Sequence, residues 1–196
     1  MAFAYPGPAP DGNGVPSPNR SAELPAGPGF PLPRRNVNLL AIAQGFGVSA
    51  NSIPELQGLS QRAWLLLAVT DLFEAWAIGW PAGGTIELHD HGLSSGAVVV
   101  TAGCLTETTV RPTNRGVALI ASRSIEAGQH RTFGPRYIHD LTNHGDEQAM
   151  SVHVYSPRLT SMAYYRVDQI GKLVPRRVQA LTPVGPFDVT AAHDPS

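Results

Sequence analysis

The chain has 196 residues, of which 42% are hydrophobic and only 15% charged, and its net charge is -1. A near-neutral balance excludes a protein whose main partner is a phosphate backbone, and no run approaches the ~20 apolar residues of a membrane-spanning helix. The first residues carry neither a basic nor an apolar leader pattern, and the single cysteine, Cys104, excludes an internal disulfide, so a soluble cytoplasmic monomer with one folded domain is expected.

In chain order, residues 1–35 hold nine of the 18 prolines and five of the 20 glycines. This opening has no hydrophobic period and too little apolar surface to offset its ordering entropy, so a disordered tail is predicted. The folded domain is expected over 36–178, with a short C-terminal tail over 179–196. Leu39–Ala43 and Ile53–Leu59 suit short helices, Pro54 being tolerable in a first turn. Short apolar, β-branched or aromatic runs then follow, separated by Gly, Pro, Asn and Asp. They predict strands at Trp64–Val69, Phe73–Trp80, Gly84–Leu88, Gly96–Ala102, Leu105–Arg111, Val117–Ser122, Tyr137–Leu141, Ala149–Tyr155 and Met162–Val167. So many short strands without long helices between them point to an all-β sandwich or small barrel. Cys104 reads as a small buried hydrophobe. His130, His144 and His193 read as surface or loop residues, Trp76 and Trp80 as packing, and Arg176 and Arg177 as solvated.

Three groups of residues carry chemistry. In an extended strand residues i and i+2 share a face, so His89 and His91 project together and form a two-point chelate for a transition metal. Two surface histidines would give the same pattern. A third histidine, His139, stands at the head of His139-Asp140-Leu141-Thr142-Asn143. Finally, Ser151-Val152-His153-Val154-Tyr155 alternates strictly, which places Ser151, His153 and Tyr155 on one face. Three polar groups alternating with valines also describe an ordinary strand with one wet side.

The segment from Gly83 through His89-Asp90-His91, Gly96 and Gly103 resembles the first motif of the cupin superfamily, with Gly96 where a glutamate ligand is customary. His139 with Asn143 resembles the end of the second cupin motif, although its Pro-x-Gly is only approximated by Gly134-Pro135. Together with the Ser-x-His-x-Tyr-Ser-Pro run, these residues are similar to type I cysteine dioxygenases over about residues 62–158. The resemblance implies a cupin barrel in which His89, His91 and His139 hold one ferrous ion per chain. It also implies that Ser151, His153 and Tyr155 form a relay beside the metal, with the tyrosine hydroxyl nearest the substrate. Gly96 excludes the cysteine–tyrosine cross-link of animal members, as in many bacterial ones.

The family's substrate carboxylate is held by an arginine ahead of a tryptophan that Trp80 resembles, a role that falls on Arg62. A guanidinium fork holds a carboxylate through two charge-assisted hydrogen bonds. Neighbouring Gln61 competes for the role, since related enzymes acting on 3-mercaptopropionate use glutamine there, and adjacent strand residues face opposite sides. The implied activity is oxidation of L-cysteine by dioxygen to cysteine sulfinic acid, with neither nucleic acid nor membrane as partner. A dioxygenase for another small thiol, or a non-catalytic ligand-binding cupin, is the alternative.

Overall fold

A computed structural model describes residues 37–114 and 116–181 and the backbone of Ala192–His193. The proline-rich opening lies outside the described residues. The elements are α1 (Leu39–Ala50), a single 3-10 turn (Pro54–Leu56), β1 (Ala63–Val69), β2 (Glu74–Trp80), β3 (Thr85–Asp90), β4 (Ser95–Ala102) and β5 (Cys104–Arg111). There follow β6 (Leu119–Glu126), β7 (His130–Phe133), β8 (His139–Thr142), β9 (Ala149–Ser156), β10 (Ser161–Val167), β11 (Leu173–Ala180) and β12 (Ala192–His193).

The strands form two six-stranded sheets, one in the order β12-β1-β2-β9-β4-β7 and the other β11-β10-β3-β8-β5-β6. All pairings are antiparallel. This is the all-β double sheet that the resemblance implies. The inter-sheet space divides into two chemically different halves. One is a dry plug in which Trp80, Val100 and Ala149 of the first sheet meet Leu105, Ile125 and Leu141 of the second. The other half is lined by histidines, tyrosines and Glu107.

The first sheet is covered on its outer face as well. Helix α1 starts at Asn38, whose side chain accepts a hydrogen bond from Ala41 N at 3.0 Å and so caps the helix. Its Ala43 and Ala50 pack with Ala75, Ala97, Val99, Val152 and Val154, which all belong to that outer face. Small residues let the helix lie close: a Cβ on Gly47 would meet Thr101 Cγ2 at 3.2 Å. The valines of the Ser-Val-His-Val-Tyr strand therefore face a helix, not water, and the polar residues face inward.

Several expectations need correction. The first helix runs to Ala50, well beyond Ala43, because its apolar face has a sheet to cover. The region 53–59 holds only one 3-10 turn. Strand β6 begins at Leu119 and extends to Glu126, held along its length by β5. Strands β7, β11 and β12 were not anticipated, and β11 runs past residue 178 to Ala180. Cys104 is exposed at the start of β5 rather than buried. Arg176 and Arg177 are exposed, as expected, and both pair with Glu87.

Candidate metal centre and substrate cavity

His89 and His91 close β3 and its following turn, and His139 opens the neighbouring β8, where it pairs directly with His89. A register shift in β3 between Ile86 and His89 lets Ile86 reach the apolar plug while His89 turns into the polar half. One ligand atom from each of the three imidazoles lies within 4.8 Å of the others, and all three residues are buried.

The surroundings fix which nitrogen two of the three rings offer. His89 Nδ1 donates to the carbonyl of Glu87 at 2.7 Å, so its lone pair sits on Nε2. His139 Nδ1 lies 2.9 Å from Glu107 Oε1, which likewise directs its lone pair to Nε2. That Nε2 is buried with no hydrogen-bond partner among the described residues. His89 Nε2 and His91 Nε2 approach to 3.1 Å. Burial first, and neighbouring histidines next, push His89 and His91 well below the usual imidazole range, so both are neutral at pH 7. Three converging imidazoles, two of them with a buried nitrogen that has no hydrogen-bond partner among the described residues, are a donor set that fits a divalent transition metal.

Glu107 was missed in the sequence. It is 1% exposed in β5 and is the polar anchor behind His139. Arg123 reaches Glu107 Oε2 through Nε at 2.8 Å and Nη2 at 2.7 Å, and Arg131 Nε lies 3.6 Å away. Tyr137 donates to Glu107 Oε1 at 3.2 Å. Burial alone would raise the carboxyl, but the hydrogen bonds from His139 and Arg123 outweigh it and hold Glu107 below its ordinary value. The carboxylate is thus ionised and holds the ring of His139 in one tautomer.

Gly96 reveals what stands in place of a fourth protein ligand. A Cβ there would sit 2.3 Å from Phe133 Cζ, so the Phe133 ring occupies the space a longer side chain would need. That ring stacks on His91 at 5.1 Å and on Tyr137 at 5.2 Å. Phe133 was overlooked because β7 was.

The second group is a hydrogen-bonded chain on β9. Trp80 Nε1 donates to Ser151 Oγ at 2.8 Å, Ser151 Oγ lies 2.9 Å from His153 Nε2, and His153 Nδ1 lies 3.1 Å from the Tyr155 hydroxyl. Indole N–H can only donate, so the serine proton is left for His153 Nε2. Burial first, and then the neighbouring His139 and Arg62, push His153 down to about 3, so the ring is neutral. A neutral ring that accepts at Nε2 donates at Nδ1, which leaves the tyrosine proton to point onward. Burial first, and Glu74 next, push the Tyr155 phenol far above its ordinary value, so it stays protonated. Its ring lies 4.8 Å from that of His91.

Arg62 precedes β1 and is half-buried, its Cζ 5.3 Å from the ring centres of both Trp64 and Trp80. It lines a cavity together with Glu87 and Tyr164. Gln61 is exposed, although it lines the same cavity of about 460 Å³. Two motif residues prove to be braces. Asp90 accepts hydrogen bonds from Gly92 N and from the Tyr165 hydroxyl, at 2.9 and 2.7 Å. Asn143 donates to the carbonyls of Trp80, Pro81 and Glu147 and accepts from Gly145 N. No helix among the described residues is long and apolar enough to cross a membrane.

A sequence model of the family described as cysteine dioxygenase type I matches residues 56–168, more than half of the chain. Among solved structures, an oxalate oxidase in complex with the substrate analogue glycolate is 20% identical, with a TM-score of 0.44, over 51% of this chain and 53% of its own. The present chain thus spans about half the length of that oxidase. The Cnp3 cupin domain of Schizosaccharomyces pombe is 12% identical (TM-score 0.43, 52% of this chain and 66% of that one). KdgF from Halomonas sp. is 15% identical (TM-score 0.43, 52% and 84%).

Proposed function

This chain belongs to the cysteine dioxygenase type I family, and from that membership and the geometry above we propose that it is an iron-dependent thiol dioxygenase acting on L-cysteine. The observation that carries the reading is the meeting of two independent constellations. The His89, His91 and His139 nitrogens converge on one point, and the buried Ser151–His153–Tyr155 chain ends beside it. A cupin that only binds a ligand has no need of a relay whose every member is buried and whose last ring lies 4.8 Å from that of His91.

His89, His91 and His139 would hold the ion as neutral ligands, leaving its double charge to be met by an incoming thiolate. Bound there, ferrous iron supplies the redox chemistry by which dioxygen adds to a thiol. The remaining steps belong to the chain's own groups. Arg62 holds the substrate carboxylate in a guanidinium fork, with Trp64 and Trp80 keeping the fork in place. The Tyr155 hydroxyl, protonated and anchored by His153, donates a hydrogen bond to the reacting groups. Phe133, Tyr137 and the apolar plug keep bulk water from that side. Both oxygen atoms end on sulfur, RSH + O2 giving RSO2H, so no further co-reactant is needed.

Gln61 keeps a second substrate in view, because it lines the same cavity as Arg62. A glutamine amide at that wall would favour 3-mercaptopropionate over cysteine. Steady-state sulfinate formation from L-cysteine, cysteamine and 3-mercaptopropionate separates the two. The proposal expects the highest kcat/KM for L-cysteine. A higher value for 3-mercaptopropionate would transfer the assignment to the neighbouring thiol dioxygenases, and no sulfinate from any thiol would remove the enzymatic reading altogether.

A further inference from the structure

A second cavity, of about 510 Å³, opens beside Tyr137 and shares no lining residue with the one that Arg62 lines. It lies against the ends of β5 and β6 and residues 134–138, and its size suits a small-molecule site. Three arginines line it. Arg111 closes β5, Arg123 lies on β6, and Arg136 stands in the turn between β7 and β8. Among the described residues, no aspartate or glutamate lines it.

Charge does not balance at this cavity. Of the three, only Arg123 meets a carboxylate: its Nε and Nη2 reach Glu107 at 2.8 and 2.7 Å, and Nη2 donates to the Tyr137 hydroxyl at 2.9 Å. Those bonds use Nε and Nη2, so Nη1 is the arm left for the cavity. Arg111 and Arg136 form no ion pair among the described residues. A chain of net charge -1 thus gathers three cations around one hollow, where they repel one another unless an anion joins them. The backbone of Arg136 gives a second, independent observation. Its φ is 59°, in the left-handed region, and among the described residues it is the one non-glycine with a positive φ. Its N–H donates to the carbonyl of Gly92 at 3.1 Å, which pins the turn. Glycine would take that conformation without strain, so an arginine held there points to a use for its side chain.

We propose that this cavity binds a small molecule carrying a doubly charged oxyanion of the phosphate class, held between Arg111, Arg123 and Arg136. Guanidinium forks match the oxygens of such a group, and several forks together reward its second negative charge. Pro112, Pro135 and the ring of Tyr137 offer an apolar wall to the organic remainder. Tyr137 is also the wall shared with the metal centre, since its ring stacks on Phe133 at 5.2 Å and meets His139 at 5.1 Å. The site is therefore distinct from the metal position and does not depend on the thiol dioxygenase reading.

Calorimetric titration of the full-length, metal-free chain tests this without turnover. Phenyl phosphate is compared with benzoate at matched ionic strength and about pH 8, where the first carries two charges and the second one. The site predicts that phenyl phosphate binds at least about ten-fold more tightly, or roughly 1.4 kcal/mol, and that inorganic phosphate displaces it. Arg123 is left intact because it also supports Glu107. Arg111→Gln and Arg136→Gln in the same chain should bring phenyl phosphate down to the level of benzoate. Arg136→Gly separates binding from folding, because it removes the side chain and the backbone strain together. Its Tm should equal or exceed that of wild type, while its affinity for phenyl phosphate falls. Equal affinities for the two ligands in the wild-type chain would overturn the site. So would undiminished phenyl phosphate binding by the folded double variant or by Arg136→Gly, and the latter decides should the double variant fail to fold.

Discussion

Replacing Glu107 by Gln tests whether the group behind His139 governs the metal centre. The glutamine oxygen can keep the bonds now made by His139 Nδ1 at 2.9 Å and the Tyr137 hydroxyl at 3.2 Å. Its amide N–H groups would then face Arg123, which now donates from Nε and Nη2 at 2.8 and 2.7 Å. Donors would meet donors, and the guanidinium must turn away. Arg123 can do so, because its side chain is 47% exposed, whereas Glu107 is almost fully enclosed. The stability cost should therefore fall below the ~3–5 kcal/mol of breaking a fully buried ion pair, at about 1–3 kcal/mol. The larger consequence is for the metal. Without a carboxylate partner His139 becomes a weaker donor, and loss of such support typically lowers metal affinity by about 10–100-fold, or roughly 1.4–2.7 kcal/mol. Chelator competition for ferrous iron under argon reads this directly, with thermal unfolding of the metal-free chain as the control for folding. A folded Glu107→Gln chain that binds iron as tightly as wild type would refute the reasoning.

Tyr155→Phe removes one hydroxyl from a chain that also ends at His153, so iron content should stay near one per chain while turnover, or the ratio of sulfinate formed to oxygen consumed, falls; an unchanged ratio and rate would detach the tyrosine from the chemistry. Arg62→Ala should raise KM for L-cysteine on the order of 30-fold or more, from the ~2–5 kcal/mol of an unpaired buried charge, and change cysteamine little, since cysteamine has no carboxylate. Gly96→Ala forces a methyl group into the ring of Phe133 and should cost about 1–3 kcal/mol, read as a lowered Tm that Phe133→Leu in the same chain partly restores. Arg177 and Arg176 hold the Glu87 carboxyl below its ordinary value, the Arg177 hydrogen bond being the chief cause. A depressed carboxyl stabilises the fold at neutral pH and loses that contribution as pH falls through its folded value, so Glu87→Gln should melt below wild type at pH 7 and converge with it under acid.

The sequence made the strands and the candidate metal ligands legible wherever period-two alternation met chemistry. His89 with His91, at the end of a strand expected to close at Leu88, and Ser151 with His153 and Tyr155, within one expected strand, stand two residues apart. It was silent wherever a residue's meaning depended on a distant strand. Glu107 sits between two threonines in Thr106-Glu107-Thr108 and has the look of a solvated position; only the arrival of His139 and Arg123 across β8 and β6 turns it inward. The His130–Phe133 strand is four residues long with three of them polar, too short to announce itself or to mark Phe133 as the neighbour of Gly96. Strand β11 carries Pro175 and two arginines, a composition that argues against a central strand and fits the sheet edge it occupies. The valines of β9 suggested a core side and its polar residues a wet side. That inference fails because α1 covers the valine face, so both faces are dry and the polar set becomes an interior chain.

The central claim is that His89, His91 and His139 hold iron at which dioxygen is joined to a thiol. The most direct test is one turnover experiment with isotopically labelled dioxygen. Purified chain is loaded with ferrous iron under argon, mixed with L-cysteine and exposed to 18O2, and the product is weighed by mass spectrometry. The account predicts cysteine sulfinic acid carrying two labelled oxygen atoms, formed with one dioxygen consumed per product and lost in His89→Ala, His91→Ala and His139→Ala chains. Product with one labelled atom or none, or sulfinate formed as well by the histidine variants, would contradict it.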